Sequence, residues 1–376
     1  MLWLANVASP YRRPVWSALT EHLRLIVALL EDDDRLRQDG RRGADWRGAT
    51  SQGYRVMQVG TVRLVRGEEV YYAIRSPWNL PVRRANAVLL GGWESPAFWQ
   101  ALLLSKLLGA GTVGFYESTE ATNRFRSGPI AAARSFFFRR LDAVVVPGPS
   151  AASLLASFGV PADRIFVGFN AVDVAAFAES AEVARAAAPG TDAEGHRFVY
   201  VGQLITRKNV DGLLRAFAAI REPLDSLTLI GGGEQEAELR RLAAALELGE
   251  AVVFTGPIPN AELAAALSQQ HTLVLPSLRE VWGLVVNEAL ACGLGTVVAE
   301  SAGVAASVRG MTGVVEIGAS DESLASGMKT ARSTWTGPIH DPAILQHTPE
   351  AFAAIFADAA RAAAARHRRR SGKQEA

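Results

Sequence analysis

The sequence predicts an α/β protein built on two wound parallel sheets, and three observations carry that prediction. Short β-branched runs alternate with Ala- and Leu-rich amphipathic stretches along the chain. At 376 residues the chain is long for one domain and comfortable for two. In the second half, glycines and prolines fall just after the apolar runs, where the loops of a parallel sheet would share one edge.

Taken in order, the first half offers MLWLANV, LRLIVALL, NAVLLGG, GTVGFYES and DAVVVPG as strands, with helical PAFWQALLLSKLLG and GPIAAARSFFFRRL between them. Residues 33–52 are polar and read as a long exposed loop, and 60–75 read as extra strands. In the second half, strands RFVYVG, LTLIGGG, AVVFTG, HTLVLPS, GTVVAES and GVVEIG alternate with helices such as NVDGLLRAFAAI, QEAELRRLAAALELG and NAELAAALSQ. The junction falls near IFVGFNAVDVAAF (165–177), followed by an Ala/Gly/Pro-rich stretch, 180–195. A last helix, TPEAFAAIFADAARAAAARHRRR, follows a Pro-rich connection and runs into a basic tail.

Composition narrows the function classes. The chain is 49% apolar and 20% charged, as expected of a soluble globular protein. The single Cys292 excludes an internal disulfide and a cysteine-built metal site, and fits a reducing compartment. The six histidines show no HxxxH or HxH spacing, so no metal is expected. No segment reaches the roughly 20 apolar residues of a membrane span. In the opening MLWLANVASPYRR the charges follow the apolar run, the reverse of a signal peptide, and a cytoplasmic protein is expected. Residues 1–178 carry a net charge of +6 and the remainder −5, which points to an anionic partner or surface for the first half. The excess is too dispersed for nucleic acid.

The most informative stretch is PSLREVWGLVVNEALACGLG (276–295), with Glu280 and Glu288 eight positions apart. Eight helical steps leave two side chains roughly 80° apart and about 12 Å along the axis. If both serve one ligand, Glu280 must come from the loop and Glu288 from the second turn of the helix. Gly283 would bring the first amides, those of Leu284 and Val285, close to a phosphate. A carboxylate in so apolar a helix needs donors, either ribose hydroxyls or an internal Arg or Lys. In VGQLITRKNVDGLL (201–214), Arg207 and Lys208 just before a helix are either solvated charges or a metal-free diphosphate site. In LIGGGEQEAEL (229–239) the glycines allow close backbone approach or simply a tight turn. FTGPIPN (254–260) is a stiff loop that could meet a base edge. In the first half, GFYESTEATNRFRSG (114–128) places Glu117 and Ser118 at a strand end, as an acceptor contact or a helix cap. AAARSFFFRRL (131–141), with Arg134, Arg139 and Arg140, reads either as core or as a helix lying on an anionic membrane.

At these residues the chain resembles the group 1 (family 4) retaining glycosyltransferases of the GT-B fold. The family's E-x7-E motif matches Glu280 and Glu288, its basic phosphate loop matches VGQLITRKN, and its Gly-rich turn matches LIGGGEQEAEL. Looser similarity runs through SPYRRPVW (9–16), the GFYES strand end and residues 141–173. The resemblance implies two Rossmann-like domains facing an interdomain cleft. An acceptor-side domain would span 1–170, with the helix 348–370 packing back on it, and a donor-binding domain would span 171–347.

By resemblance, Lys208 would neutralise the leaving diphosphate with Arg207 as helper, and Glu280 would hold the donor sugar near its anomeric carbon. Gly202, Gln203, Gly232, Gly233, Gly283, Leu284 and Val285 would line the donor, Glu288 would bind the ribose, and Pro257 or Ile258 would meet the base. Tyr11, Arg12, Glu117 and Ser118 would lie on the acceptor side. Three positions depart from the family: Gln203 stands where many members have Arg, Tyr116-Glu117-Ser118 where many have His, and SPYRRPVW carries no glycine. The implied reaction moves a sugar from a nucleoside-diphosphate sugar to a glycan, lipid-linked or small acceptor with retention, without metal or other cofactor, in cell-surface polysaccharide or glycoconjugate synthesis. The alternatives are a GT-B nucleotide-sugar epimerase and a non-catalytic sugar-nucleotide-binding protein.

Overall fold

The computed structural model describes residues 1–31, 53–67, 69–187 and 195–370, so the loop expected over 33–52 lies outside the described residues. The chain divides into two compact units, Met1–Asn170 with Pro349–Ala376, and Ala171–Thr348.

The first unit holds β1 (Leu2–Ala5), α1 (Arg13–Leu19), β2 (Ile26–Leu29), β3 (Arg55–Gln58), β4 (Thr61–Arg66), β5 (Glu69–Ile74), β6 (Ala87–Leu90), α2 (Pro96–Leu108), β7 (Gly111–Phe115), α3 (Gly128–Arg140), β8 (Ala143–Pro147), α4 (Pro149–Ser157) and β9 (Ile165–Gly168). Seven strands form a parallel sheet in the order β3-β2-β1-β6-β7-β8-β9, and β4 and β5 pair as an antiparallel hairpin. The central strands are covered on both faces, so β1, β6, β7 and β8 are buried at every residue and read as unbroken apolar runs. Helices α2, α3 and α4 each carry proline in the first turn, where its missing N–H has no intrahelical partner to lose.

The C-terminal helix, Pro349–Arg370, belongs to this unit. Phe352, Ala353, Phe356, Ala357, Ala360 and Ala363 recur at helical spacing and are buried. Phe356 lies 4.6 Å from the ring of Trp3 on β1. Gly111 admits this helix onto β7, because a Cβ there would stand 2.6 Å from the Ala363 backbone.

The second unit holds α5 (Val174–Ala187), β10 (Arg197–Val201), α6 (Val210–Ile220), β11 (Ser226–Ile230), α7 (Glu236–Ala245), β12 (Val252–Gly256), α8 (Asn260–Ser268), β13 (Thr272–Leu275), α9 (Leu284–Ala291), β14 (Gly295–Ala299), α10 (Ala305–Val308), β15 (Val314–Ile317) and α11 (Asp321–Thr334). Its six parallel strands run β12-β11-β10-β13-β14-β15. The sheet grows outward from β10 in both directions, and the switch point lies between β10 and β13.

The boundary between the units, Asn170 to Ala171, falls within the stretch 165–177 where the junction is expected. Of the Ala/Gly/Pro-rich stretch, residues 180–187 form the second half of α5, whose Phe177 and Ala181 are buried. Residues 165–177 divide into an edge strand of the first sheet and the start of α5.

Candidate active site on the second sheet

The loops that follow β10, β11, β12 and β13 all leave the carboxyl edge of one parallel sheet. Backbone hydrogen bonds lace them together. The amide of Gly202 donates to Ile230 O at 2.9 Å, that of Leu204 to Gly232 O at 3.0 Å, and that of Gly231 to Gly256 O at 3.0 Å. This lacing explains the glycines. A Cβ on Gly231, at φ 135°, would stand 1.9 Å from Gly202 O, and one on Gly233 would stand 2.3 Å from Leu204 O. At Gly232 the nearest atom is Pro257 Cδ at 3.6 Å, so this glycine is not demanded by its neighbours.

Lys208 and Glu280 come from the loops on either side of the switch point. Lys208 ends the 3₁₀ turn Thr206–Lys208, which leads through Asn209, at φ 56°, into α6. The Leu278 amide donates to Arg207 O at 2.9 Å and joins the two loops. The Lys208 ammonium donates to Glu280 Oε2, and both side chains are only 12% exposed. Ser277 Oγ donates to the same oxygen at 3.3 Å. Ser277 is itself fully buried, and its carbonyl accepts from Ser301 Oγ at 2.5 Å. The Gly303 amide donates to Glu280 O at 3.1 Å, which fixes the backbone behind the carboxylate.

Arg207 is exposed, with Nη1 3.4 Å from Arg279 O, and Gln203 is exposed as well. Gly283, at φ 102°, is the N-cap of α9, and no side chain caps the helix. The amides of Leu284 and Val285 therefore precede the first intrahelical bond at the rim. Glu288 lies in the second turn, partly buried, and burial pushes its carboxyl up to about 7. No Arg or Lys pairs with it among the described residues, so the internal salt bridge weighed from the sequence is absent there. Glu280 and Glu288 do stand at the two depths that helix geometry requires. Pro257 is exposed and Ile258 half-buried beyond β12.

The acceptor-side candidates occupy the carboxyl edge of the first sheet. Arg12 is buried and donates through Nη2 to Glu117 Oε1 at 3.3 Å and through Nη1 to Asn170 Oδ1 at 3.4 Å. Asn170 Nδ2 donates to the same Glu117 oxygen at 2.9 Å, and the Arg12 guanidinium lies 4.5 Å from the Phe115 ring centroid. Glu117 thus caps no helix; Thr119 stands at the N-cap of the adjacent 3₁₀ turn, its amide donating to Thr122 Oγ1 at 2.9 Å. Tyr11 is exposed beside Arg12, and Ser118 follows Glu117 at the strand end.

Sequence reasoning missed Asn170 and Ser277. Ser277 sits within the PSLRE segment already singled out, whereas Asn170 lies 53 positions from its partner, with no local pattern to mark it. The structure divides α3 between the two readings weighed from the sequence. Phe137 and Phe138 are core residues, and Arg134 is buried, donating to Asn123 Oδ1 at 2.8 Å and Phe125 O at 2.9 Å. Phe136, Arg139 and Arg140 remain outside. Among the described residues no helix is long and apolar enough to cross a membrane.

Residues 185–334 match the family model "Glycosyl transferases group 1". A D-inositol 3-phosphate glycosyltransferase of Pseudarthrobacter chlorophenolicus is 30% identical over 172 residues, 44% of this chain and 41% of the relative. A GDP-mannose-dependent alpha-(1-6)-phosphatidylinositol monomannoside mannosyltransferase of Mycolicibacterium smegmatis is 33% identical over 140 residues, 35% of this chain and 37% of the relative. The chain thus spans about two fifths of the length of the curated relatives it matches. Among solved structures, Anabaena Alr3699/HepE in complex with UDP superposes with a TM-score of 0.68 at 16% identity, over 99% of this chain and 98% of the other. The lipopolysaccharide outer core galactosyltransferase WaaB superposes with a TM-score of 0.69 at 13% identity, over 95% and 98%. At such identities the structures establish the fold. Residues 185–334 are thus similar to the glycosyl transferases group 1 family, and the chain that carries them has the GT-B fold.

Proposed function

We propose that the chain is a retaining glycosyltransferase that moves a sugar from a nucleoside-diphosphate sugar to a hydroxyl of a glycan, lipid-linked or small-molecule acceptor, in cell-surface polysaccharide or glycoconjugate synthesis. The observation that carries the reading is the meeting of Lys208 and Glu280 across the switch point of the second sheet, beside the uncapped start of α9. Lys208 and the amides of Leu284 and Val285 are donors suited to charge that builds on a departing diphosphate. Glu280 offers a carboxylate oxygen to sugar hydroxyls, and Glu288, raised by burial and short of donors, suits ribose hydroxyls. In the step proposed, the anomeric carbon–phosphate oxygen bond breaks and the acceptor oxygen bonds to the same face. The acceptor proton passes to a phosphate oxygen, so the products are the glycoside and the nucleoside diphosphate. In this reading no metal or cofactor takes part.

The activities named for the relatives, on inositol phosphate and on a phosphatidylinositol mannoside, support phosphate- or lipid-bearing acceptors. A peripheral site on the inner face of an anionic membrane fits the exposed side of the first unit. Leu103 and Leu107 are exposed one turn apart on α2, Phe136 of α3 stacks on Trp99 under Arg140, and Trp78, Arg83 and Arg84 lie on turns packed against α2.

The test is a thermal-shift screen with UDP, GDP, ADP, CMP and TDP on wild type and Lys208→Ala. Ligand that binds only the native state raises its stability, so one diphosphate should stand out in the wild type and lose its effect in the variant. Transfer of label from the matching sugar nucleotide then separates a transferase from an epimerase, which releases product without acceptor, and from a binding protein, which never turns over. No shift with any nucleotide would sink the donor-site reading.

A further inference from the structure

We propose that the Lys208–Glu280 pair makes the site discriminate a sugar-bearing nucleotide from the spent nucleoside diphosphate, by holding Lys208 whenever no sugar satisfies Glu280. The inference rests on the donor-site reading above and concerns the regulation of that same site.

Lys208 Nζ and Ser277 Oγ converge on one carboxylate oxygen, Glu280 Oε2. The two donors differ in mobility. Ser277 is fully buried and tied through its carbonyl to Ser301, so it is a fixed anchor for the carboxylate. Lys208 reaches the same atom on a flexible four-carbon stem. Among the described residues nothing else donates to the Glu280 carboxylate, so Oε1 is left for a ligand.

A diphosphate that takes Lys208 strips this largely buried carboxylate of the cation it pairs with, and an unpaired buried charge is costly. A donor that carries its sugar brings hydroxyl groups to replace the lost N–H. The spent nucleoside diphosphate brings none. Once the sugar has moved to the acceptor, Glu280 competes for Lys208 again and loosens the product. Glu280 therefore sets the preference for donor over product, and Ser277 is the positioning residue that holds its carboxylate in place.

Calorimetric titration of the full chain with UDP, GDP and ADP, and with the corresponding glucose or mannose nucleotides, tests this. In Glu280→Gln the charge is gone while the shape and the Ser277 contact remain, so the diphosphate is expected to bind about tenfold tighter than in wild type. The advantage of the sugar nucleotide over its diphosphate should shrink by the same factor, and Lys208→Ala in the Glu280→Gln background should erase the gain. Should Glu280→Gln fold poorly by circular dichroism, Glu280→Ala, which leaves Lys208 no carboxylate to hold it, is expected to show the same tightening. A diphosphate that binds either variant no better than wild type, or that binds none of the proteins, overturns the proposal. If Lys208→Ala alone still loses diphosphate affinity, the donor-site reading survives that failure; if it binds as well as wild type, the donor-site reading falls too.

Discussion

At the amino end of β10, β11 and β13 stand His196, Asp225, His271, Thr272 and Arg332; at the carboxyl end of the same strands stand Lys208, Ser277, Glu280 and, on the helix beyond, Glu288. Both ends gather titratable groups out of water, and the two differ in how completely those groups are partnered. At the amino end His196 Nε2 meets Thr272 Oγ1 at 2.8 Å, and Asp225 accepts from the His196 amide at 2.7 Å and from Arg332 at 2.6 Å. His271 accepts from the Arg197 amide at 3.2 Å and stacks on Trp335 with centroids 5.1 Å apart. At the carboxyl end Glu288 has no donor among the described residues, Glu280 keeps one oxygen open, and two helical amides are uncapped. A displaced titration is therefore no mark of function by itself. What separates the ends is unspent hydrogen-bonding capacity, which a ligand can use and a core cannot leave open.

The largest expected effect tests the amino end as a structural cluster. Burial holds His196 down to about 3 and His271 down to about 4, against an ordinary value of 6.5. The unfolded chain therefore takes up these protons near pH 6.5 while the folded chain refuses them. The stability the pair contributes is complete above that pH and is lost as pH falls. Asp225, held below the carboxylate range by its hydrogen bonds and Arg332 against the opposing effect of burial, acts with the same sign at lower pH. Urea unfolding should show a loss of up to about 3 kcal/mol between pH 6.5 and pH 5, with a shallower slope in His271→Phe. Diphosphate binding at neutral pH should be unchanged in that variant. A loss of binding would end the division between the two ends.

Glu288 supplies a smaller effect of opposite sign. Its carboxyl is raised to about 7, so the folded chain holds this proton at pH values where the unfolded chain has released it. The ionised form is a penalty that grows as pH rises from about 4.5 towards 7. Glu288→Gln should accordingly raise the unfolding midpoint at pH 8, by on the order of 1–2 kcal/mol of stability, with no gain at pH 4.5. The same variant should weaken nucleotide binding, because Gln offers a poorer acceptor to hydroxyl donors. Stabilisation with unaltered binding would make Glu288 a strained core residue and place it with the amino end.

How much of this was legible in the sequence follows from how local each cause is. The buried strands announce themselves because parallel strands covered on both faces have no polar side to interrupt them, as in AVLL of β6 and GTVVA of β14. The two depths of Glu280 and Glu288 follow from helix geometry over eight residues. Partners set by strand order escape any local reading. Asn170 finds Glu117 only because β9 and β7 share a sheet, and Arg134 turns inward to Asn123 and Phe125 only because α3 packs where it does.

Arg207 supplies the smallest effect and the finest test of the carboxyl end. It neighbours Lys208 on the same turn but is exposed, whereas the Lys208 side chain is 12% exposed. An exposed charge acts on a phosphate through water and is screened over about 8 Å at physiological ionic strength. A charge held in a partly dry site is screened much less. Arg207→Ala should therefore weaken diphosphate binding by only about twofold to threefold at 150 mM salt, with the difference widening at 20 mM. The loss in Lys208→Ala should be larger and nearly independent of salt. The readout is the diphosphate Kd of each variant across a salt series. Parallel salt dependence in the two variants would mean that Lys208 meets the ligand as a solvated charge, and that its burial against Glu280 belongs to the ligand-free state alone.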